Sequence, residues 1–162
     1  MTDGRILIAC IGNIFMGDDG FGTEVARRLA GRALPPDVAL KDFGIRGLDL
    51  TYALLEPWDL VILVDACGQG GEPGTVYLIE PDTKASTGAF AGMDPHAANP
   101  VSALQMAKSM GQTSNRVVIV GCQPADLGGE DGRIGLSEPV AAAVGEAVQM
   151  IEELVETVLQ PN

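Results

Sequence analysis

Three runs of almost unbroken aliphatic residues constrain this chain more than anything else in it: RILIACI (5–11), DLVILVDA (59–66) and RVVIVGC (116–122). A strand with one wet face alternates apolar with polar residues, whereas a strand that stays apolar is covered on both faces. The three runs therefore predict strands inside a sheet that carries helices above and below. VALKDF (38–43) and GTVYLIE (74–80) are more polar and predict half-exposed strands. Helical periodicity falls between them: at 20–32, with Phe21, Val25 and Leu29 on one face, at 47–56, at 100–110 and at 137–159. Ser137 and Pro139 open the last of these as cap and first-turn residue. Parallel neighbours need a helical crossover, so the alternation predicts an α/β, doubly wound, mostly parallel five-stranded sheet with helices on both faces. Only about eight residues separate the strand at 59–66 from GTVYLIE, too few for a crossover, so that strand is expected to be antiparallel at an edge.

At 162 residues the chain is expected to form a single domain, residues 1–162. Two segments read as long loops: PDTKASTGAFAGMDPHAAN (81–99) and QPADLGGEDGRIG (123–135). A net charge of −12 argues against nucleic acid and anionic membrane surfaces as partners. No stretch approaches the roughly 18 apolar residues of a membrane span. The three cysteines, Cys10, Cys67 and Cys122, are widely spaced and contain no C-x-x-C pair, which suggests neither a disulfide framework nor a thiolate zinc site. A soluble protein of the reducing cytoplasm is expected.

The first strand runs into GNIFMGDDGFGTEVARRL (12–29), which sets Asp18 and Asp19 between glycines just ahead of a helix. In a right-handed doubly wound sheet, strand two lies on one side of strand one and strand three on the other, and ligands bind where the chain reverses. Asp18 and Asp19 follow strand one, and Asp65 ends strand three, so they converge on one crevice. One acid suffices to cap a helix, so Asp18 is assigned to capping and Asp19 is the surplus acid. Asp65 reads either as a ligand or as a strand-terminal acid bonding turn amides. His96, the one histidine, lies in the 81–99 loop and reads either as an uncommitted surface group or as a ligand. Together, two carboxylates and an imidazole make a three-ligand set for a borderline divalent ion, with coordination positions left open.

Other readings are weaker. Gly12, Gly17, Gly20 and Gly22 match neither G-x-G-x-x-G nor a P-loop, and acids at the helix mouth repel phosphate. Cys67 beside Asp65 is a nucleophile only if something lowers its pKa, and no electropositive neighbour is evident. Ile14, Phe15 and Met16 either fold back on the core or form an apolar lip suited to a peptide.

Over nearly its whole length the sequence resembles the hydrogenase maturation proteases, endopeptidases that trim the C-terminal extension of NiFe hydrogenase large subunits. The resemblance is carried by IGNIFMGDDGFG (11–22), DFGIRG (42–47), LVDA (63–66), DPH (94–96), GCQP (121–124) and GLSEPV (135–140). It implies that Asp19, Asp65 and His96 are the metal-contacting and catalytic trio. It implies also that the metal is nickel already inserted in the precursor, with no tightly bound cofactor of the protease's own. Attack by an aspartate and metal-assisted attack both stay open. Many members carry a glycine-rich DGGT-like stretch where this chain has DFGIRG, so Asp42, Gly44, Arg46 and Gly47 are expected to recognise substrate, with bulky Phe43 among them. Arg46 pairs either with a substrate carboxylate or with a nearby acid of this acidic chain. The expectation is a monomeric endopeptidase acting on the large-subunit precursor; the rival is a non-catalytic nickel-sensing or chaperone module using the same residues.

Overall fold

The computed structural model describes residues 5–80, 100–111 and 116–159. Strands β1 (Ile6–Ile11), β2 (Val38–Gly44), β3 (Leu60–Ala66), β4 (Val76–Ile79) and β5 (Arg116–Cys122) form one sheet in the order β2-β1-β3-β5-β4. The first four positions in that order are parallel, and β4 runs antiparallel to β5 at the edge, as its short connection requires. The chain reverses at β1, with β2 on one side and β3 on the other. The predicted loop at 81–99, which contains His96, lies outside the described residues.

The aliphatic runs are buried because both sheet faces are roofed. Ile6, Ile8, Cys10, Ile62 and Val64 face helix α1 (Phe21–Ala30) and helix α4 (Glu138–Leu159), meeting Phe21, Val25, Leu29, Val144 and Ile151. Leu7, Ala9, Ile11, Val61 and Leu63 face the other way, onto Leu50 and Leu54 of helix α2 (Gly47–Leu54) and Ala103 and Ala107 of helix α3 (Pro100–Ser109). Each fully buried Val, Leu or Ile contributes about 1.5–3 kcal/mol, so β1 and β3 anchor the fold. Among the described residues no helix is long and apolar enough to cross a membrane.

Gly22, in the first turn of α1, decides how closely that helix meets the sheet. A Cβ there would run into the backbone carbonyl of Ile11 and sit 2.7 Å from that of Val64. The helix start is thus pressed onto β1 and β3, and the residues before it lie over the carboxyl ends of those strands. Replacing Gly22 by Ala gains about 1 kcal/mol of helix propensity but forces rigid backbone apart. We expect a net loss of about 2 kcal/mol and a melting temperature lowered by roughly 4–8 °C in calorimetry; an unchanged melting temperature would contradict this packing.

Candidate active site

The connection from β1 to α1 is a turn followed by a short 3-10 helix (Gly17–Gly20), and it is stitched to the distant loop that precedes α4. Asn13 shapes the turn through its side-chain oxygen, which accepts from the Phe15 N–H at 2.9 Å. Gly17 N–H donates to the Arg133 carbonyl at 2.8 Å, and Arg133 N–H donates to the Phe15 carbonyl at 2.9 Å. Asp18 N–H donates to the Asp126 carbonyl at 2.8 Å. Gly17 adopts φ of 58°, and a Cβ on it would strike the Asp126 carbonyl, so only glycine permits the two loops to touch here.

Asp18 is the fastener. Its side chain is fully buried, and one carboxylate oxygen accepts from Ala125 N–H at 2.7 Å, Asp126 N–H at 2.8 Å and the Ser137 hydroxyl at 2.8 Å. The other oxygen accepts from Ser137 N–H at 2.7 Å. This corrects the capping assignment: neither the 3-10 turn nor α1 has a side-chain cap, and Asp18 instead binds residues more than 100 positions away. Ser137 stands where the sequence places it, immediately before α4: its carbonyl accepts the first helical bond, from Ala141, and its hydroxyl donates to Asp18. Burial opposes ionisation of Asp18, yet the bonds from Ser137, Asp126 and Ala125 outweigh it and hold the carboxyl below its ordinary range. The positive dipole end of α4 adds to that preference.

With Asp18 turned inward, Asp19 is presented to the crevice. Its Oδ2 accepts from Asn13 N–H at 2.9 Å. Asp65, the penultimate residue of β3, is 5 % exposed, and its Oδ1 accepts from Ala66 N–H at 2.8 Å. Burial, and then the negative charge of Asp19, push the Asp65 carboxyl well above the usual carboxylate range. The topology therefore does bring Asp19 and Asp65 together. His96 lies outside the described residues, and among those residues no group of three or more His, Cys, Asp or Glu is arranged to hold a metal.

The thiols around the crevice are not poised as nucleophiles. Burial raises Cys67, although Gln69 Nε2 donates to its sulfur at 3.2 Å, and burial pushes Cys122 up to about 12. Gln123, not singled out from sequence, ties the segment after β3 to β4: its Oε1 accepts from Gln69 N–H at 2.7 Å and from the Tyr77 hydroxyl at 3.2 Å.

In the 42–47 segment, Asp42 Oδ1 accepts from Gly44 N–H at 3.0 Å. The Arg46 guanidinium donates to the carbonyls of Asp42 (2.8 Å) and Phe43 (3.2 Å) and pairs with Asp49 at 3.5 Å. Arg46 thus serves its own loop and a nearby acid. Phe43, expected in the recognition loop, is buried in the core against Leu50 and Leu54. Ile14, Phe15 and Met16 are exposed and form the lip, not part of the core.

The family model described as hydrogenase maturation protease matches residues 23–154. The chain belongs to that family, whose members are hydrolases of the endopeptidase kind. It is 34 % identical to the hydrogenase expression/formation protein HupD of Bradyrhizobium diazoefficiens, covering 91 % of this chain and 76 % of that one. Among solved structures it is similar to the hydrogenase maturating endopeptidase HybD from E. coli, with 26 % identity, a TM-score of 0.80, and 94 % and 93 % of the two chains covered. It is similar also to the NiFe hydrogenase maturation protease HycI from Thermococcus kodakarensis, with 29 % identity, a TM-score of 0.75, and 94 % and 92 % covered.

Removing the Asp18 carboxylate leaves three backbone N–H groups and a hydroxyl without their acceptor. Asp18→Ala is expected to cost on the order of 3 kcal/mol, a fall of roughly 6–12 °C in melting temperature. Asp65 behaves oppositely. A carboxyl whose folded pKa lies above its unfolded value of about 3.9 binds its proton more tightly in the folded state, so stability drains away as pH rises between the two values. Asp65→Asn, which keeps the oxygen facing Ala66, should therefore raise the melting temperature at pH 8 by several degrees and change it little at pH 4. A variant less stable than the parent at pH 8 would contradict the raised pKa.

Proposed function

We propose that this chain removes the C-terminal extension of a nickel-loaded NiFe hydrogenase large-subunit precursor, and that Asp19, Asp65 and His96 read the precursor's nickel. The observation that carries the reading is the pairing of Asp19 with a buried Asp65 whose carboxyl is driven up by burial and by its neighbour. Two acids held together, one of them buried, are a standing electrostatic cost, which a cation cancels. Carboxylates and one imidazole suit a borderline divalent ion and leave coordination positions free for groups the substrate brings. The ion is part of the substrate, so the protease cuts only a precursor whose metal is in place. A cation in the crevice favours the ionised form of Asp65, which burial and Asp19 oppose. Asp42, Gly44, Arg46 and Gly47, braced by the bonds of the 42–47 segment, form the adjoining recognition surface for the precursor. The chain acts as a monomer and needs no cofactor of its own.

The test uses nickel-loaded precursor with gel mobility and mass spectrometry as readouts. Asp19→Asn retains an oxygen for Asn13 N–H and should fold normally; it and His96→Ala should each lower trimming at least 100-fold. Full processing by both variants would overturn the metal-reading role. A precursor that wild-type protein binds but never shortens would show a nickel sensor in place of a protease.

A further inference from the structure

A second cleft, of about 420 Å³, runs along α1 away from the paired carboxylates. One wall is a single stripe of the chain, Gly20, Thr23, Glu24, Arg27 and Arg28, spaced three or four residues apart. The other wall is Ile134 and Leu136 of the loop that Asp18 fastens, and Val144 of α4 forms part of the floor. Ile14, the first residue of the lip, lines the cleft as well. Ile134 is 76 % exposed and Ile14 is 46 % exposed, which leaves apolar surface bare at the mouth.

The charge of the cleft is opposite to that of the molecule. Acids outnumber basic residues 22 to 10, and Arg5, Arg27, Arg32, Arg46, Arg116 and Arg133 each pair with a carboxylate. Arg28 has no carboxylate partner among the described residues. Its guanidinium lies across α4 at Gly145, where a Cβ would come 3.7 Å from Nη1. Glu24 and Arg27, which share the wall, neutralise each other at 3.2 Å. Among the described residues that line the cleft, Arg28 is thus the one unpaired charge, at the end far from Asp19, while the acid Asp42 lies behind the wall against Thr23 at 3.4 Å. An uncommitted guanidinium binds carboxylate. Nine helical residues from Asp19 to Arg28 rise about 13 Å, which an extended peptide spans in about four residues.

We propose that this cleft is a docking site for the precursor polypeptide, distinct from the nickel-reading crevice. It takes an extended segment that lays an apolar side chain against Ile14, Ile134 and Leu136. About four residues from the position held at Asp19, that segment presents an acidic side chain to Arg28. This rests on the precursor being the substrate, so wild-type binding and cleavage are measured beside the variants. Arg28→Glu and Ile134→Asp are both exposed changes, and melting curves show whether each remains folded. Each should raise KM for nickel-loaded precursor, and its Kd in calorimetry, about tenfold. Precursors in which each acid of the extension is replaced in turn by Lys should include one that Arg28→Glu protein cleaves with KM restored and wild-type protein cleaves poorly. KM and Kd within twofold of wild type for both variants would overturn the proposal, and so would a loss that no Lys precursor rescues. A changed sedimentation coefficient of Arg28→Glu protein alone would make the cleft an interface between copies and overturn it as well. If wild-type protein binds the precursor without cutting it, proteolysis fails while the cleft is still judged by Kd; if it does not bind, both fall.

Discussion

A buried negative charge has to be surrounded by donors or it does not stay charged, and Asp18 is surrounded by four of them, all from residues 125–137. None belongs to its own helix. That arrangement fixes where the loop before α4 lies, joins it to the turn after β1, and turns the neighbouring Asp19 outward. The two adjacent acids therefore divide the work by environment. Asp18 is held ionised by hydrogen bonds inside the protein, and Asp19 supplies charge to a crevice.

The crevice is built against stability. Asp65 is carried into it by β3, a strand buried almost throughout because its neighbours and both helical layers demand apolar residues there. Placing a carboxyl at the end of such a strand, facing Asp19, sacrifices some folding free energy that an amide would retain. Gly22 contributes by letting α1 seat against β1 and β3, which brings the Asp19 turn over the end of β3. Sheet, seat and fastener act together, since losing any of them would move Asp19 away from Asp65.

Much of this was legible in the sequence because it depends on periodicity and connection length. The unbroken aliphatic runs marked β1, β3 and β5, the short link marked β4 as an antiparallel edge, and the handedness of crossovers placed β2 and β3 on opposite sides of β1. The convergence of Asp19 and Asp65 follows from that order. The role of Asp18 was not legible, because bonds from a side chain to backbone amides more than 100 residues away leave no local pattern. The bond from the Ser137 hydroxyl to Asp18 leaves no local pattern for the same reason, although its place before α4 does. The burial of Phe43 is not legible from a departure from a glycine-rich pattern, which marks a different loop without saying which way its side chains turn; of the two partners open to Arg46, the nearby acid is the one present, Asp49. The apolar character of Phe43 at a strand end was the available signal.

The pairing of Asp19 with Asp65 is tested most directly by following the Asp65 side-chain carboxyl through a pH titration by carbon-detected NMR, in wild-type protein and in Asp19→Asn. The Asp65 resonance should titrate well above the ordinary carboxylate range in the wild type. It should move down, while staying elevated by burial, when the neighbouring charge is gone. An Asp65 that titrates in the ordinary range in both proteins, or one that ignores Asp19 altogether, would contradict the pairing and the metal-reading crevice built on it.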